Sequence, residues 1–319
     1  MPRTAYGRQN GLNLWVTGRR SKLNQKKKNK IYIGNKSADI ILIIIMCLLM
    51  VTILYPFINI ISISMSSPSA ITTGRVSWLP VGFNLKGYEM VFGDPKIWSA
   101  YGNTILYATL GTALNLIFTA MISYSLMVKE FVLRKPMTVF LTITMFFNGG
   151  MVPSYILIQN LGLMDSIWSV ILPGCVSAYN IFIYRSFFKG ISPEIREAAF
   201  VDGAGEARIL FRIYMPLSKA LFATFGLFSL VTYWNMWFEP LLYLKTDTKQ
   251  PIQMILRQIL FTSGAAGMNG AQEMMNQQLV NPKNIQYACI IATIAPIMIV
   301  YPFLQKYFEQ GMMVGAVKG

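Results

Sequence analysis

Apolar residues in this chain gather in long blocks instead of alternating with polar ones. Six blocks of at least 18 residues have no ionisable side chain in their interior: 40–63, 98–128, 137–161, 167–185, 217–244 and 285–304. Asp39, Arg185 and Glu239 lie at or near block ends. A helix needs about 20 apolar residues to cross the hydrocarbon of a bilayer, so each block predicts a spanning helix. A run such as Ile40-Ile41-Leu42-Ile43-Ile44-Ile45-Met46 lacks the two-residue alternation of a barrel strand. The expected fold is therefore all-α, a polytopic membrane protein with six transmembrane helices. The first block follows a basic segment, as a secretory signal would, but it is longer than the roughly 7–15 apolar residues of such a signal. It is read as an uncleaved first span.

Composition agrees with that reading. Of 319 residues 54% are hydrophobic and 13% charged, with mean hydropathy +0.46, against about 25% charged in soluble domains. Lys and Arg number 28 against 13 acids, and their distribution matters more than their excess. Segments 1–36, 129–135, 185–219 and the C-terminal end together hold 21 of them, and the alternate segments hold 7. The positive-inside rule then puts both termini and the 185–219 segment in the cytoplasm of a multi-pass protein. Residues 1–37 read as a basic cytoplasmic tail, expected to be disordered, and 38–319 as the transmembrane domain. The Lys26-Lys27-Lys28-Asn29-Lys30 run lacks the groove-reading elements of a nucleic-acid binder and fits membrane lipid headgroups instead.

Several chemistries are excluded early. The chain has no histidine, which removes imidazole relays, His-based triads and HExxH zinc sites. Cys47, Cys175 and Cys289 are widely spaced inside apolar runs and suggest neither disulfides nor a metal site. A GxxxxGK[ST] phosphate loop is missing; the dipeptide Gly-Lys does not occur. The spans also lack the buried charges that ion-coupled carriers use. Energy for uphill movement would have to enter from outside the lipid.

The segment between spans four and five is the richest in signals. Ser192 suits an N-cap, Pro193 the first helical position, and Glu194 the positive end of the helix dipole. A short helix should start there and stop at Gly203 or Gly205. A second, with Ile209, Leu210 and Ile213 on one side, should run to Pro216. Ala198 and Ala199, with Gly203 and Ala204 close by, form a surface another backbone can approach, and Glu197 and Asp202 can accept hydrogen bonds from a partner. A plain amphipathic interfacial helix is the other reading of the composition.

The order Glu197-Ala198-Ala199, Gly203, Ile213, Pro216 resembles the EAA loop of bacterial ATP-binding-cassette importer permeases, with Met215 where Leu is usual. Glu197 to Ala204 is similar to the carbohydrate-uptake branch. Asn148-Gly149-Gly150-Met151-Val152-Pro153, Trp234-Asn235 with Pro240, and the C-terminal Gln305-Lys306-Tyr307-Phe308 through Gly319 are similar to permeases for complex or acidic oligosaccharides. The resemblance covers residues 38 to 319. It implies a bacterial cytoplasmic-membrane subunit, no enzyme itself, that forms half of a sugar pathway beside a second permease subunit. It also implies a cytoplasmic ATPase dimer that binds ATP and Mg, and an extracytoplasmic solute-binding protein, while this chain binds no cofactor or metal. The coupling residues would be Glu197, Ala198, Ala199, Asp202, Gly203, Ala204, Ile213 and Pro216.

Sugars are held by aromatic faces and hydrogen-bonding side chains. Tyr233-Trp234-Asn235-Met236-Trp237-Phe238-Glu239-Pro240 offers both, and Pro240 should interrupt span five. Candidate pathway residues are therefore Tyr233, Trp234, Asn235 and Trp237, with Asn148 and Asn180 from spans three and four. An aromatic belt at the membrane edge is the alternative for the tryptophans, and interhelical hydrogen bonds for the asparagines. Ile252, Ile255, Leu256, Ile259 and Leu260 repeat at helical spacing within the polar segment 245–284, so an amphipathic helix is expected there. Two other classes stay open: an intramembrane enzyme on lipid-linked sugars, using Glu130, Asp165 or Glu239, and a secondary carrier.

Overall fold

The computed structural model describes the backbone of residues 36–261, 275–277 and 279–316, and side chains between 39 and 302 within those segments. The tail 1–35, residues 262–274 of the polar segment 245–284 and the C-terminal side chains singled out above lie outside the described residues. The described residues are helical and contain no strand. In chain order the helices are α1 (Lys36–Ser64), α2 (Pro68–Thr72), α3 (Lys86–Gly93), α4 (Pro95–Met127), α5 (Arg134–Phe146) and α6 (Met151–Asn160). They continue with α7 (Ile167–Ile171), α8 (Ala178–Lys189), α9 (Pro193–Val201), α10 (Glu206–Ile209) and α11 (Met215–Leu217). The last four are α12 (Lys219–Trp234), α13 (Phe238–Tyr243), α14 (Ile252–Phe261) and α15 (Pro282–Ala316).

The chain divides within α1 into two compact units, one ending at Ile58 and one starting at Asn59. In the first, the apolar side chains of Ile40 to Leu54 are exposed all round the helix, the pattern of a lipid-facing span. In the second, α4 is the hub: it packs along α12 and α8, and α12 in turn packs on α15. The start of α4 is fixed by Asp94, whose carboxylate accepts from the Lys96 amide at 2.9 Å, with Pro95 in the first turn. Its buried face carries small and polar residues, Thr104, Ala108, Gly111, Asn115, Ala120 and Ser123. Small residues let helices approach closely in lipid, where burying apolar surface alone gives little drive. Gly111 shows how close: a Cβ there would sit 2.5 Å from the ring of Tyr233 on α12.

Three of the expected spans are single helices, Asp39–Ser64, Pro95–Met127 and Pro282–Pro302. The other three are interrupted. Span three divides into α5 and α6 across 147–150, where Gly150 has φ 87°. Span four bends by 48° between Ile167–Gly174 and α8, after Pro173. Asn115 of α4 donates to the carbonyls of Gly174 and Cys175 at 3.0 and 3.2 Å, satisfying backbone that the bend leaves open. Span five ends its first helix at Trp234 and resumes at Phe238. Pro240 therefore lies within the first turn of α13 and not at the break itself, because a first-turn residue needs no amide proton.

The expected amphipathic helix is α14. Ile252 and Ile259 are buried, and Ile255 and Leu256 pack beside them, in a cluster with Ile97, Ile285 and Cys289 from α4 and α15. It is docked on the bundle.

Candidate functional site

Helix α9 and the segment from α10 to α11 form the expected helix–turn–helix. Pro193 opens α9, and Ser192 sits at the N-cap position without its hydroxyl bonding a first-turn amide. The stop follows the glycine logic: Asp202 caps the helix, Gly203 takes φ 76°, and the Ala204 amide donates back to the Ala199 carbonyl at 2.9 Å. After α10 the backbone widens into a π-turn over Leu210–Tyr214, with the Met215 amide bonded to the Leu210 carbonyl. Pro216 accounts for this, since it cannot donate four residues back and its ring would crowd that carbonyl. The 86° turn into α12 follows at Ser218.

Packing gives α9 two faces. Ala199 is buried with Ala120, Tyr124, Tyr184, Phe188, Ile209, Leu210, Tyr214 and Leu221, so α9 rests on an aromatic cluster built from α4, α8, α10 and α12. Tyr184 meets Phe188, Phe222 and Phe225 edge to face, and Tyr214 meets Tyr124 and Phe188 the same way. Glu194, Glu197, Ala198 and Asp202 are exposed on the other face. Ala204 and Ile213 are half-buried beside the cluster, and Pro216 is exposed. The structure thus brings Glu197, Ala198, Asp202 and Gly203 to one open surface and assigns Ala199 and Ile213 to its support.

Three residues missed by the sequence reading lock this arrangement. Arg196 pairs with Glu206 across the turn, and Tyr124 of α4 donates its hydroxyl to the second Glu206 oxygen. The same guanidinium lies 3.7 Å from the Glu130 carboxylate and 5.7 Å from the Phe200 ring centroid. Burial raises the Glu206 carboxyl pKa, but the hydrogen bonds from Arg196 and Tyr124 outweigh it and hold the group below the usual glutamate value. The Glu206 hydrogen bond in turn drives the Arg196 pKa upward. The only available sequence signal was opposite charge ten residues apart, which is weak when the intervening turn is unknown.

The pathway candidates separate. Tyr233 is buried, its hydroxyl donating to the Ile171 carbonyl at 2.9 Å, and Trp234 is buried with its indole donating to the Thr293 carbonyl at 3.2 Å. Both join helices to one another. Asn180 is half-buried in the first turn of α8, its amide bonded to Ser177. Asn148 is exposed at the break in span three and accepts from the Gly150 amide at 2.9 Å. Asn235 and Trp237 are exposed at the break in span five, and α14 supplies them with neighbours the sequence reading missed. Gln253 donates to Asn235 at 3.1 Å, and the Arg257 guanidinium lies 5.5 Å from the Trp237 ring and 5.3 Å from that of Phe261. Among the described residues no carboxylate pairs with Arg257. Gln253 and Arg257 are one helical turn apart, so the polar side of α14 faces the break.

The carboxylates considered for an enzymatic site are scattered. Asp165, in the loop before α7 with φ 56°, accepts from the Lys245 and Thr246 amides at 2.9 and 3.0 Å and pairs with Lys249 at 3.0 Å. Thr246 and then Lys249 hold its carboxyl well below the usual range. It is a loop clamp. Among the described residues no group of three His, Cys, Asp or Glu side chains could hold a metal.

Apolar helices with interrupted spans and a short exposed helix on a packed support define an integral-membrane transport permease. The chain belongs to the binding-protein-dependent transport system inner membrane component family, which matches residues 129–314. It is 35% identical over 265 residues to the polygalacturonan/rhamnogalacturonan transport system permease protein YtcP of Bacillus subtilis (strain 168), covering 83% of this chain and 92% of that protein. Protein LplC of the same strain is 37% identical over 84% of this chain and 90% of its own length. Among solved structures, a bacterial ABC transporter involved in the import of the acidic polysaccharide alginate aligns with a TM-score of 0.82. The identity is 32%, over 86% of this chain and 98% of that one.

Proposed function

We propose that this chain is a membrane subunit of an ATP-driven importer for acidic oligosaccharides. It forms half of the pathway and takes its driving force from a separate cytoplasmic ATPase that binds ATP and Mg. Residues 38–319 constitute the permease domain, crossing a bacterial cytoplasmic membrane six times with both termini inside. A second permease subunit completes the pathway, and an extracytoplasmic solute-binding protein delivers the sugar.

The observation that carries the coupling assignment is the two-faced α9, supported at Ala199 and locked by Arg196 and Glu206 while Glu197, Ala198 and Asp202 stay open. A short helix tied to its bundle in this way moves as a rigid body, a usual route for transmitting displacement. The substrate assignment rests on Asn148, Asn235 and Trp237 at breaks in spans three and five, and on Arg257 of α14 beside Trp237. Irregular backbone at membrane depth is tolerated where it lines a cavity or is covered by protein, and a guanidinium beside an aromatic face, with no carboxylate partner among the described residues, suits a carboxylated sugar. The relatives named for polygalacturonan/rhamnogalacturonan and for the acidic polysaccharide alginate support that class. Tyr233 and Trp234 serve as helix joints in this reading, with Asn180 at the mouth of α8.

The test is reconstitution of the permease pair and ATPase in nanodiscs with the binding protein. Uronic-acid oligosaccharides should stimulate ATP hydrolysis, neutral ones of equal length much less, and Glu197→Gln should lower the stimulated rate. Stimulation unchanged by that substitution would remove Glu197 from the coupling contact.

A further inference from the structure

The 129–133 loop, the start of α5 and the end of α8 surround a cavity of about 650 Å³. Lys129, Arg134, Lys135 and Arg185 line it against a single acid, Glu130. That acid is engaged elsewhere, its carboxylate 3.7 Å from Arg196 of α9. Among the described residues no carboxylate pairs with any of the four cations. Arg185 reaches α5, with Nη1 3.5 Å from the Thr138 hydroxyl, while its buried Nε has no hydrogen-bond partner among the described residues. A buried donor of this kind is costly unless something accepts from it.

Two further features have the same sign. Lys189, one turn beyond Arg185, has its pKa lowered first by the Arg185 charge, then by burial and by Arg134, as expected where cations crowd without a counter-ion. The N-terminus of the 13-residue α5 opens here at Leu133 with no side-chain cap, adding its positive dipole. The lining also has an apolar part: Val132 is 89% exposed and Val139 59%, and their chain neighbours Leu133 and Phe140 are exposed as well. A dissolved anion would need the charges but not this apolar part. A molecule with a phosphate and acyl chains needs both.

We propose that this cavity binds the phosphate of an anionic membrane phospholipid, with Arg134 and Arg185 as phosphate ligands and Val132 and Val139 against the acyl chains. Basic clefts between helices at the cytoplasmic boundary are suited to such headgroups. The proposal rests on the cytoplasmic side to which the Lys and Arg count assigns the 129–135 loop together with 185–219.

The assembled transporter, purified in mild detergent, is assayed by mass spectrometry for retained phosphatidylglycerol and phosphatidylethanolamine. Each removed charge should reduce phosphatidylglycerol retention about fivefold. The Arg134→Gln/Arg185→Gln variant should therefore lose most of that lipid and keep its phosphatidylethanolamine, while Arg134→Lys/Arg185→Lys retains more phosphatidylglycerol than the glutamine variant and the same phosphatidylethanolamine. Unchanged phosphatidylglycerol overturns the proposal, as does equal loss of both lipids. Loss of the ATPase subunit with phosphatidylglycerol retained also overturns it, because the cations would then dock a protein. Against a variant that fails to insert, wild-type transporter in nanodiscs is irradiated with a photoreactive phosphatidylglycerol analogue. Adducts within 129–139, competed by unlabelled phosphatidylglycerol and not by inorganic phosphate, are expected. Their absence, or competition by inorganic phosphate, contradicts the lipid assignment. Labelling of Val132→Cys by an impermeant maleimide only from the external side would instead sink the proposed orientation, independently of the adduct result.

Discussion

Glu206 is the residue on which the support of α9 turns. Its folded pKa is depressed, so its contribution is fully present above the ordinary glutamate range and is lost as pH falls through the folded value. Its side chain is 44% exposed, so Glu206→Gln should cost about 1 kcal/mol near pH 7, and the gap to wild type should close in acid. Thermal unfolding in detergent at neutral and acidic pH measures this; a gap independent of pH would contradict it. Gly111 makes a sharper case. Its neighbour Tyr233 is pinned by the Ile171 carbonyl and lies against Gly174 as well, so Gly111→Ala should destabilise by about 1–3 kcal/mol, read as a lower Tm. Arg257→Gln should raise the KM for a uronic-acid oligosaccharide more than Arg257→Lys does, with little change for a neutral one. Equal effects on both sugars would remove Arg257 from carboxylate recognition. At this scale the sequence was only partly legible: Pro193, Gly203 and Pro216 could be read from local backbone chemistry. The Arg196–Glu206–Tyr124 lock and the burial of Tyr233 and Trp234 depend on neighbours 10 to 82 and 59 to 62 residues away, which no local pattern encodes.

Among the elements, α9 is the one to which the proposed function gives the coupling role. Proline within it removes a hydrogen bond and crowds the preceding turn, at a cost of about 3 kcal/mol. Ala198→Pro should therefore abolish sugar-stimulated ATP hydrolysis while the protein still inserts, whereas Ala198→Ser should leave both nearly intact. Membrane-fraction blotting alongside the hydrolysis assay separates the two; loss of insertion in the proline variant would place α9 in assembly and not in coupling. Helix existence was legible throughout, because long apolar blocks admit little else in lipid. The interruptions were less so. Gly149-Gly150 and Pro173 mark two of them in retrospect, but hydropathy alone averages across such breaks and returned three continuous spans. Pro240 pointed to the third, a few residues from where the backbone parts, because proline excludes itself from helix interiors more strictly than from first turns. Helix α14 was legible as amphipathic from its spacing, yet its docking against α4 and α15 was not, since periodicity identifies an apolar face and not its partner.

At the scale of the whole molecule, the bundle formed by residues 59–319 is centred on α4, with interruptions in spans three, four and five and with α9 on its aromatic support. The basic residues lie mainly on the α9 side in the proposed topology. Class and family were legible from composition, hydropathy and one loop, because membrane insertion imposes strong and simple constraints on sequence. The contacts with other subunits were not, because they depend on surfaces of other chains. Cysteine cross-linking tests the coupling claim most directly. With Ala198→Cys in the assembled transporter, a short bifunctional maleimide should join this chain to an ATPase subunit carrying a cysteine in its docking groove, in a yield that changes between ATP-bound and nucleotide-free states. Modification of that cysteine only by a lipid-phase reagent or only from outside the cell, with no ATPase adduct in either state, would contradict the account.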